Sequence, residues 1–395
     1  MRILTRYILA ELGKWFLLSL TAVTGMFSII LVVDKALDKG LPPGQLLRLT
    51  PYILPEALVF AVPVTLLLAT TTVYSRIAGS NEVVAIKSLG LSPMVILWPT
   101  LALSFLLSLG TVVLYDVAVS WGRDGVRRVI VDSVEEIAYG MLRTQRQFSG
   151  PTFDINVREV QDDRLIGPTL TLKPRGNTPP STITAEEAIL RTDRENNVLK
   201  IILYDGTVMV EGGVTGRFHG REVYEIPLGD PSEADVASKS PSSLPMRVIP
   251  EEILRQRTEI DRYHEELAGQ AAYQMLCGDF EGLLSTEWRT REEQSDNKRS
   301  RLYRLQTEPF RRWSAGFSCL CFVLVGAPMA MRLRNAQPLT SFFLCFVPIL
   351  FVYYPALVYT VDAAKGGRFP PFTVWAGNAI LLIWGAYLLR KVRRY

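Results

Sequence analysis

Side chains that could perform catalysis or bind a metal are few in this chain of 395 residues. The two histidines, His219 and His264, are far apart, and no His-x-x-x-His or Cys-x-x-Cys pair is present, so a zinc site is not expected. Cys319 and Cys321 are one residue apart. Because that spacing places them on different faces of a helix, we interpret them as packing residues. The sequence therefore predicts no metal site.

Motifs for nucleotide binding and nucleophilic catalysis are absent as well. The chain has no Gly-x-x-x-x-Gly-Lys-Ser/Thr loop and no Gly-x-Ser-x-Gly elbow, which argues against an ATP site of the P-loop kind and against a hydrolase of that type. Its long apolar runs contain no Asp or Glu, so neither an intramembrane acid protease nor an ordinary proton-coupled transporter is expected. We predict no catalytic residue and no cofactor in this chain, and we expect another subunit to supply the energy.

One short polar connection has the features of a docking helix. Ser80 or Asn81 would cap a helix whose first turn contains Glu82, and Gly90 would end it before Pro93. Its exposed apolar side is predicted to consist of Val83, Val84 and Ile86 together with Leu89. The helix could lie among lipid headgroups. It could also be a coupling helix that docks in a groove of a separate ATPase subunit, with Glu82 as its polar anchor.

Six long apolar runs are the main structural elements that the sequence predicts. Each run lacks charge and is close to the roughly 20 residues that a helix needs to cross the hydrocarbon core. The runs are Trp15–Val33, Ala57–Tyr74, Leu91–Tyr115, Trp313–Met331, Asn335–Val361 and Phe369–Leu389. The first is too long for a signal-peptide core and is interpreted as a retained span. The predicted fold class is membrane α-helical, with six transmembrane helices in a 3+3 arrangement and an inserted polar region.

The distribution of lysine and arginine predicts the orientation of these spans. The short connections on one side hold Arg2, Arg6, Lys14, Arg76, Lys87, Arg332, Arg334, Arg390, Lys391, Arg393 and Arg394. Those on the other side hold Lys35, Lys39, Arg48, Lys365 and Arg368. We therefore expect both termini to be cytoplasmic and Asp116–Arg312 to lie beyond the membrane. This topology accounts for the net charge of +4, and no nucleic-acid partner is predicted.

The polar region begins with short β-prone segments separated by turn residues. They are Phe153–Val160, Thr169–Lys173, Thr182–Arg191, Val198–Tyr204, Thr207–Glu211, Arg217–His219 and Glu222–Ile226. Asp205-Gly206, between two of them, predicts a hairpin, because a type I′ turn requires positive φ at both central positions. Strands at such spacing predict a sandwich, jelly roll or half-open barrel.

A linker and a charged helical insert follow the β segments. Pro227–Pro250 is rich in Pro, Ser, Gly and Asp and predicts a linker. Glu251–Thr307 has apolar residues at helical spacing and a break near Cys277-Gly278-Asp279. The resulting domains are 1–117 with spans one to three, 118–230 with the β domain, 231–309 with the linker and the insert, and 310–395 with spans four to six. Cys277 is alone in the polar region, so no disulfide is expected within it.

Several motifs in this layout resemble the LptF/LptG family, the permease subunits of the lipopolysaccharide export ABC transporter. They are Arg6–Leu12, Pro51–Glu56 with Pro63, Asn81–Pro93, Gly326–Met329, Gly366–Pro371, and Ile183–Leu190 with Leu203–Thr207. The last pair is similar to that family's β-jellyroll. Ile53–Glu56 with Ala61–Pro63 is more similar to the F-type than to the G-type subunit. The resemblance covers nearly the whole chain.

The resemblance implies several partners for this chain. A heterodimer with a paralogous permease would bind a dimer of a cytoplasmic P-loop ATPase, and Glu82 would contact that ATPase. The complex would draw lipopolysaccharide from the outer leaflet of the bacterial inner membrane toward periplasmic jellyroll proteins. The first and fifth spans of the two permeases would form gates around a central cavity.

The resemblance also implies two groups of lipid-contacting residues. Basic residues at the outer ends of the spans would attract lipid A phosphates, although each could equally be an interfacial residue that snorkels. These are Lys35, Lys39, Arg311 and Arg312. Inward-facing apolar residues of the jellyroll would contact acyl chains, which need an apolar slot. These are Ile201, Leu203 and Val208.

Two functions of other classes stay open on the sequence. A membrane scaffold or receptor would bind a protein partner through its outer β domain without transport. A membrane enzyme acting on envelope lipids would need a polar constellation, and only scattered Asp, Glu and Arg are available. The resemblance gives no role to the segment from Pro231 to about Thr307. It could be a clamp over the lipid path, a dimer contact, a partner-binding arm or a solvated surface helix.

Overall fold

A computed structural model of the chain describes residues 2–39, 43–88, 90, 92–132, 134–149, 153–161, 163–172, 181–193, 198–210, 214–227, 240–282, 285–333 and 337–394. Contacts divide the chain into two compact units. The first comprises Met1–Ser28, Leu54–Gly122 and Lys239–Tyr395, and the second comprises Ile29–Ile53 and Arg123–Ser238. The described part of the first unit is helical, and the second contains an antiparallel sheet.

Long helices precede and follow the sheet. Before it, the described chain forms α1 (Arg2–Lys39), α2 (Pro43–Gly79), α3 (Glu82–Ser88), α4 (Met94–Val117), α5 (Arg123–Asp132) and α6 (Val134–Gln145). After it come α7 (Ile249–Cys277), α8 (Thr286–Arg332), α9 (Pro338–Pro348), α10 (Tyr354–Lys365) and α11 (Ala376–Arg394). The π-helical turns Ala118–Gly122 and Ile349–Tyr353 join α4 to α5 and α9 to α10.

Among the described residues, six helical stretches are long and apolar enough to cross a membrane. They are Ile3–Lys35, Leu46–Gly79, Met94–Val129, Thr286–Arg332, Pro338–Lys365 and Pro371–Arg393. Each overlaps one of the six apolar runs of the sequence. The prediction of a membrane helical protein is therefore confirmed.

Buried polar side chains join neighbouring helices of the first unit. Tyr74 Oη of α2 lies 2.6 Å from Thr100 Oγ1 of α4. Asn378 Nδ2 of α11 donates to the backbone oxygen of Ser314 in α8 at 2.8 Å. Spans gain little from burying apolar surface because lipid is already apolar, so such bonds and close packing hold them together.

The four cysteines are free thiols. Cys319, Cys321 and Cys345 are buried among the helices, which confirms the interpretation of Cys319 and Cys321 as packing residues. Cys277 is exposed at the end of α7.

The sheet of the second unit has eight described strands, and all of their pairings are antiparallel. They are β1 (Gln147–Ser149), β2 (Phe153–Asn156), β3 (Glu159–Gln161), β4 (Arg164–Ile166), β5 (Thr169–Leu172), β6 (Ser181–Asp193), β7 (Val198–Val210) and β8 (Val214–Pro227). The order β1-β2-β5-β6-β4-β3 is joined by β7 on β6 and β8 on β7. One edge of β6 pairs first with β5 and then with β4, while β7 follows the whole other edge. An inserted β domain was predicted, and it is present.

The sheet encloses an apolar core on one face. Ile183 and Leu190 of β6, Leu199 of β7 and Leu165 of β4 are fully or almost fully buried in one cluster, which Leu142 of α6 completes. Alternate residues of β7 point to the same face because side chains of a strand alternate.

The predicted hairpin at Asp205-Gly206 is wrong. The strand β7 runs unbroken from Val198 to Val210, and the register against β8 shifts between Tyr204 and Gly206. Asp205 adopts φ of 45°, and its carboxylate accepts the Gly220 N–H at 2.7 Å. These features define a β-bulge. Of the pair, Asp205 has positive φ and Gly206 does not, whereas a type I′ turn requires positive φ at both central positions. Long pairing with β6 and β8 keeps the strand extended.

The charged insert forms a helical hairpin from α7 and the first part of α8. The helix α7 ends at Cys277, and Gly278 follows with φ of 74°, the left-handed conformation that favours glycine at a helix end. The predicted break at this point is confirmed. The helix α8 then continues for 47 residues, from the insert into the fourth apolar run.

Candidate functional site

Arg312 of α8 is completely buried although it carries a permanent charge. Its Nη1 donates to Asp116 Oδ1 at 3.3 Å, and its Nη2 donates to the backbone oxygens of Leu244 at 2.7 Å and Ser242 at 3.3 Å. Asp116 Oδ1 also accepts the Met246 N–H at 2.8 Å. A buried charge without partners is strongly destabilising. These bonds therefore tie the segment before α7 to the end of α4 and to the middle of α8.

Glu308 lies one turn before Arg312, and its side chain is only 1% exposed. Its carboxylate accepts hydrogen bonds from Arg311 Nη2 at 2.8 Å and Nε at 3.2 Å. It also faces Arg312 Nε at 3.7 Å and Lys365 Nζ of α10 at 4.0 Å. One buried carboxylate thus gathers three basic groups from two helices.

The cluster carries a surplus of positive charge, because it holds three basic groups and two carboxylates: all three basic groups face Glu308, and Arg312 also faces Asp116. Arg311 keeps 22% of its side chain exposed and Lys365 keeps 33%. The Arg311 guanidinium lies over the ring of Tyr115, 5.4 Å from its centroid, a cation–π geometry. Arg311 and Lys365 are therefore the members of the cluster that can meet an external anion.

An apolar cavity of about 380 Å³ opens beside Arg311 and Lys365. Residues of α2, α8, α10 and the second π-helical turn contribute most of its lining. The lining residues are Val59, Phe60, Pro63, Tyr115, Arg311, Ala315, Ser318, Tyr353, Tyr354, Leu357, Val358, Val361, Asp362 and Lys365. Most of these side chains are aliphatic or aromatic, which suits a hydrocarbon ligand.

A polar cavity of about 330 Å³ shares Asp362 and Lys365 with the apolar one. Its other lining residues are Ser240, Pro241, Ser242, Ser300, Arg304, Glu308, Gly366 and Arg368. Gly366 and the following Gly367 form the turn after α10. Gly367 has φ of 73°, and a Cβ there would lie 2.4 Å from the Tyr303 ring, so this turn requires glycine.

The two cavities together suit an anionic amphiphile. Hydrocarbon would occupy the apolar cavity, while Arg311, Lys365 and Arg304 offer charge-assisted bonds to phosphate or carboxylate oxygens at its polar end. No group of three or more His, Cys, Asp or Glu that could hold a metal occurs among the described residues.

The structure separates the two arginines that the sequence treated alike. Arg311 faces the cavity, whereas the predicted lipid contact of Arg312 is corrected, because its guanidinium has no exposed surface and is occupied by protein partners. Sequence reasoning did not single out Glu308 or assign Lys365 to the site. A signal was present, since Glu308 is the acid one turn before two adjacent arginines at the start of a span.

Lys35 and Lys39 lie at the end of α1. Lys35 is half-buried, and Lys39 is the last residue of the helix. The side chain of Lys39 lies outside the described part of the structure.

The short helix α3 presents a different surface from the predicted one. It starts at Glu82, which accepts a hydrogen bond from Ser80 Oγ at 3.0 Å. Val83 and Ile86 are partly buried and pack on a core that spans several helices, so the prediction that they are exposed is wrong. Val84 is 47% exposed. A partner at this helix would meet Val84 and Glu82, while the other two residues anchor α3.

The three predicted acyl-contacting residues lie in the sheet unit. Ile201 and Leu203 belong to its buried core, and Val208 is partly buried against that core. Ile201 and Leu203 precede the β-bulge of β7, and Val208 follows it. Their inward direction agrees with the prediction, and the structure shows them packed against protein side chains.

Comparison with known proteins gives one clear finding. The sequence model of a family described as "Lipopolysaccharide export system permease LptF/LptG" matches residues 6–391, which is nearly the whole chain. No curated protein matches the chain.

Proposed function

The chain belongs to the LptF/LptG family of lipopolysaccharide export permeases, and from that premise we propose the step that it performs. It is a transporter component and not an enzyme. The proposal is that it serves as a permease subunit of an ABC transporter that extracts lipopolysaccharide, or a related glycolipid, from the outer leaflet of the inner membrane. It then passes the lipid to a periplasmic β-jellyroll bridge.

The pair of adjoining cavities carries this proposal. Lipopolysaccharide has acyl chains and phosphates at one end, and the first unit offers an apolar cavity capped by Arg311 and Lys365. Because the cap is partly buried, its bonds to phosphate would be stronger than those of fully exposed lysines. Glu308 would hold the cap in position without neutralising it, since it faces three basic groups.

The proposed topology follows the charge distribution. Both termini lie in the cytoplasm, three spans precede and three follow the sheet, and the sheet is the periplasmic jellyroll that receives the lipid. Lys35 and Lys39 at the end of α1 are then on the outer side, where they attract phosphates. The core face with Ile201, Leu203 and Val208 would open to admit acyl chains.

The proposed energy source is a cytoplasmic ATPase dimer bound to this chain and to a paralogous permease. The helix α3 is the coupling helix, with Glu82 and exposed Val84 as its contacts and Val83 and Ile86 as its anchors. Motion of α3 would reach the spans because its anchors pack against a core cluster that includes Ile77 of α2 and Ile96 of α4. Closure of a cavity gated by the first and fifth spans would move the lipid outward.

Photo-crosslinking in the reconstituted complex tests the proposal. Benzoylphenylalanine at Leu357, in the apolar cavity, should capture lipopolysaccharide, whereas the same group at Ile383, an exposed position of α11, should not. Replacing Arg311 and Lys365 together by Gln should lower the capture about tenfold, because two charge-assisted contacts are lost. An absence of capture at Leu357 in a complex with normal ATPase activity would overturn the proposed lipid site.

A scaffold or receptor role predicts a different result. The chain would then bind its protein partner without lipid capture, and its association with a P-loop ATPase would not depend on Glu82 or Val84.

A further inference from the structure

The tip of the α7/α8 hairpin exposes a group of large apolar side chains. Leu276 is 87% exposed, and Tyr273, Met275 and Phe280 are each more than half exposed. We call these four residues the tip patch. Apolar side chains displayed together on a soluble surface mark an interaction site more often than isolated ones do.

The tip patch is held in a defined geometry. Gly278 N donates to Met275 O at 3.2 Å, and Asp279 N donates to Gln274 O at 3.0 Å. The Asp279 carboxylate then accepts the Gly282 N–H at 3.0 Å. A preorganised surface loses less entropy on binding, so these bonds favour specific binding of a protein partner.

Polar bonds between the two helices hold the arm that carries the tip. Tyr263 of α7 donates to Gln294 of α8 at 3.1 Å, and His264 Nε2 lies 3.0 Å from Ser295 Oγ. Nearer the base, Arg301 Nε donates to Gln256 Oε1 at 3.1 Å. Residues later in α7 pair with residues earlier in α8, so the two helices of the arm are antiparallel. The tip patch lies at the free end of this arm.

The length of α8 sets how far the tip can lie from a bilayer. Its charged part runs from Thr286 to Arg312 before the charge-free run begins at Trp313. At 1.5 Å per residue this part spans about 40 Å. If the arm continues the direction of the fourth apolar run, as the unbroken helix indicates, the tip lies beyond the reach of membrane lipid.

Charge distinguishes the tip from the base of the arm. Residues 265–293 contain seven acidic and two basic side chains, whereas residues 298–312 contain one acidic and six basic side chains. The acidic residues near the tip include Glu266, Asp279, Glu281 and Glu287. A surface that combines exposed apolar groups with net negative charge complements an apolar groove bordered by lysine or arginine.

We propose that the tip patch docks a soluble protein partner, on the same side of the membrane as the hairpin, through an apolar groove bordered by basic residues. The hairpin is then a partner-binding arm that holds this protein about 40 Å from the membrane surface. Leu276 and Tyr273 are the expected centre of the contact, because large exposed apolar and aromatic residues dominate binding energy in such interfaces.

Photo-crosslinking of the full chain in cells is the first test. Benzoylphenylalanine at Phe280 should give one discrete adduct with a soluble protein, identified by mass spectrometry. The same group at Leu254, an equally exposed apolar residue at the base of α7, should give none. Equal adducts at both positions, adducts only with lipid or with permease chains, or no adduct would each overturn the proposal.

Binding of the purified partner to the purified membrane complex is the second test. Leu276→Ser should weaken binding at least tenfold, while Leu254→Ser should leave it unchanged and both variants should keep the parent melting temperature. Binding should also weaken several-fold between 50 and 300 mM salt, because salt screens the attraction to the acidic tip. Binding that ignores both Leu276 and salt would overturn the proposal, even if an adduct had formed.

Discussion

The carboxylate of Glu308, which is almost fully buried, accepts a hydrogen bond from Arg311 Nη2 at 2.8 Å. The same carboxylate faces Arg312 and Lys365. Its position explains how three basic groups can lie close together at the start of the fourth apolar run. Removal of this carboxylate should therefore lower the stability of the protein by a measurable amount.

Glu308→Gln is expected to lower the stability of the membrane complex by about 3 kcal/mol, since breaking a buried ion pair leaves uncompensated charge. Thermal unfolding in detergent measures this loss. Glu287→Gln, an exposed position of the same helix, is the matched control and should behave like the parent. Equal melting temperatures for the two variants would show that Glu308 does not hold the cluster.

Substitutions in α3 should separate docking from anchoring. Val84→Asp changes an exposed residue, so it should reduce co-purification of the ATPase severalfold while the melting temperature stays unchanged. Ile86→Ala removes a partly buried residue and should lower stability by about 1–2 kcal/mol. Pull-down of the ATPase and thermal unfolding of the same samples give both values. Loss of stability in Val84→Asp would contradict the assignment of Val84 as an outward contact.

Labelling of Cys277 should report the topology. This thiol is exposed, whereas Cys319, Cys321 and Cys345 are buried. If the hairpin is periplasmic, a membrane-impermeant maleimide should label intact spheroplasts at Cys277, and Cys277→Ser should abolish the signal. Labelling that needs lysis of the spheroplasts would place the hairpin in the cytoplasm and reverse the proposed orientation.

Tyr139 should make the sheet unit sensitive to alkaline pH. Its hydroxyl donates to Asp163 O at 2.6 Å and accepts the Leu190 N–H at 3.0 Å, and burial raises the pKa of the phenol. The folded state therefore holds this proton more tightly than the unfolded state. The resulting stability is complete below the ordinary tyrosine pKa of about 10 and is lost as the pH rises through the raised pKa.

Tyr139→Phe tests this account. The variant should lose about 1–2 kcal/mol at neutral pH, because the Leu190 N–H is left without its partner, and its stability should fall less steeply above pH ~10. Resistance of the sheet unit to limited proteolysis across a pH series measures both effects. Val223→Ala, at an exposed strand position, is the control. Parallel pH curves for Tyr139→Phe and its parent would exclude a role for this phenol.

The tertiary structure decided which residues of the candidate site can act. Arg311 and Arg312 are neighbours in sequence, yet one faces a cavity and the other is sealed among Asp116, Ser242 and Leu244. Accessibility depends on these distant partners, and no local pattern encodes them. The bulge at Asp205 has the same origin, since pairing with strands on both sides overrode a strong turn signal.

The sequence by itself determined the membrane helices and the helical insert. Span length and absence of charge are properties of a continuous segment, so runs such as Trp15–Val33 and Trp313–Met331 predict helices without knowledge of their neighbours. The break after Cys277 was equally local, because Gly278 can adopt the left-handed conformation that ends a helix. Only the tertiary structure brought Lys365 to Glu308 and Arg311, because Lys365 comes from α10 and the other two from α8, and their attraction acts only once these helices pack.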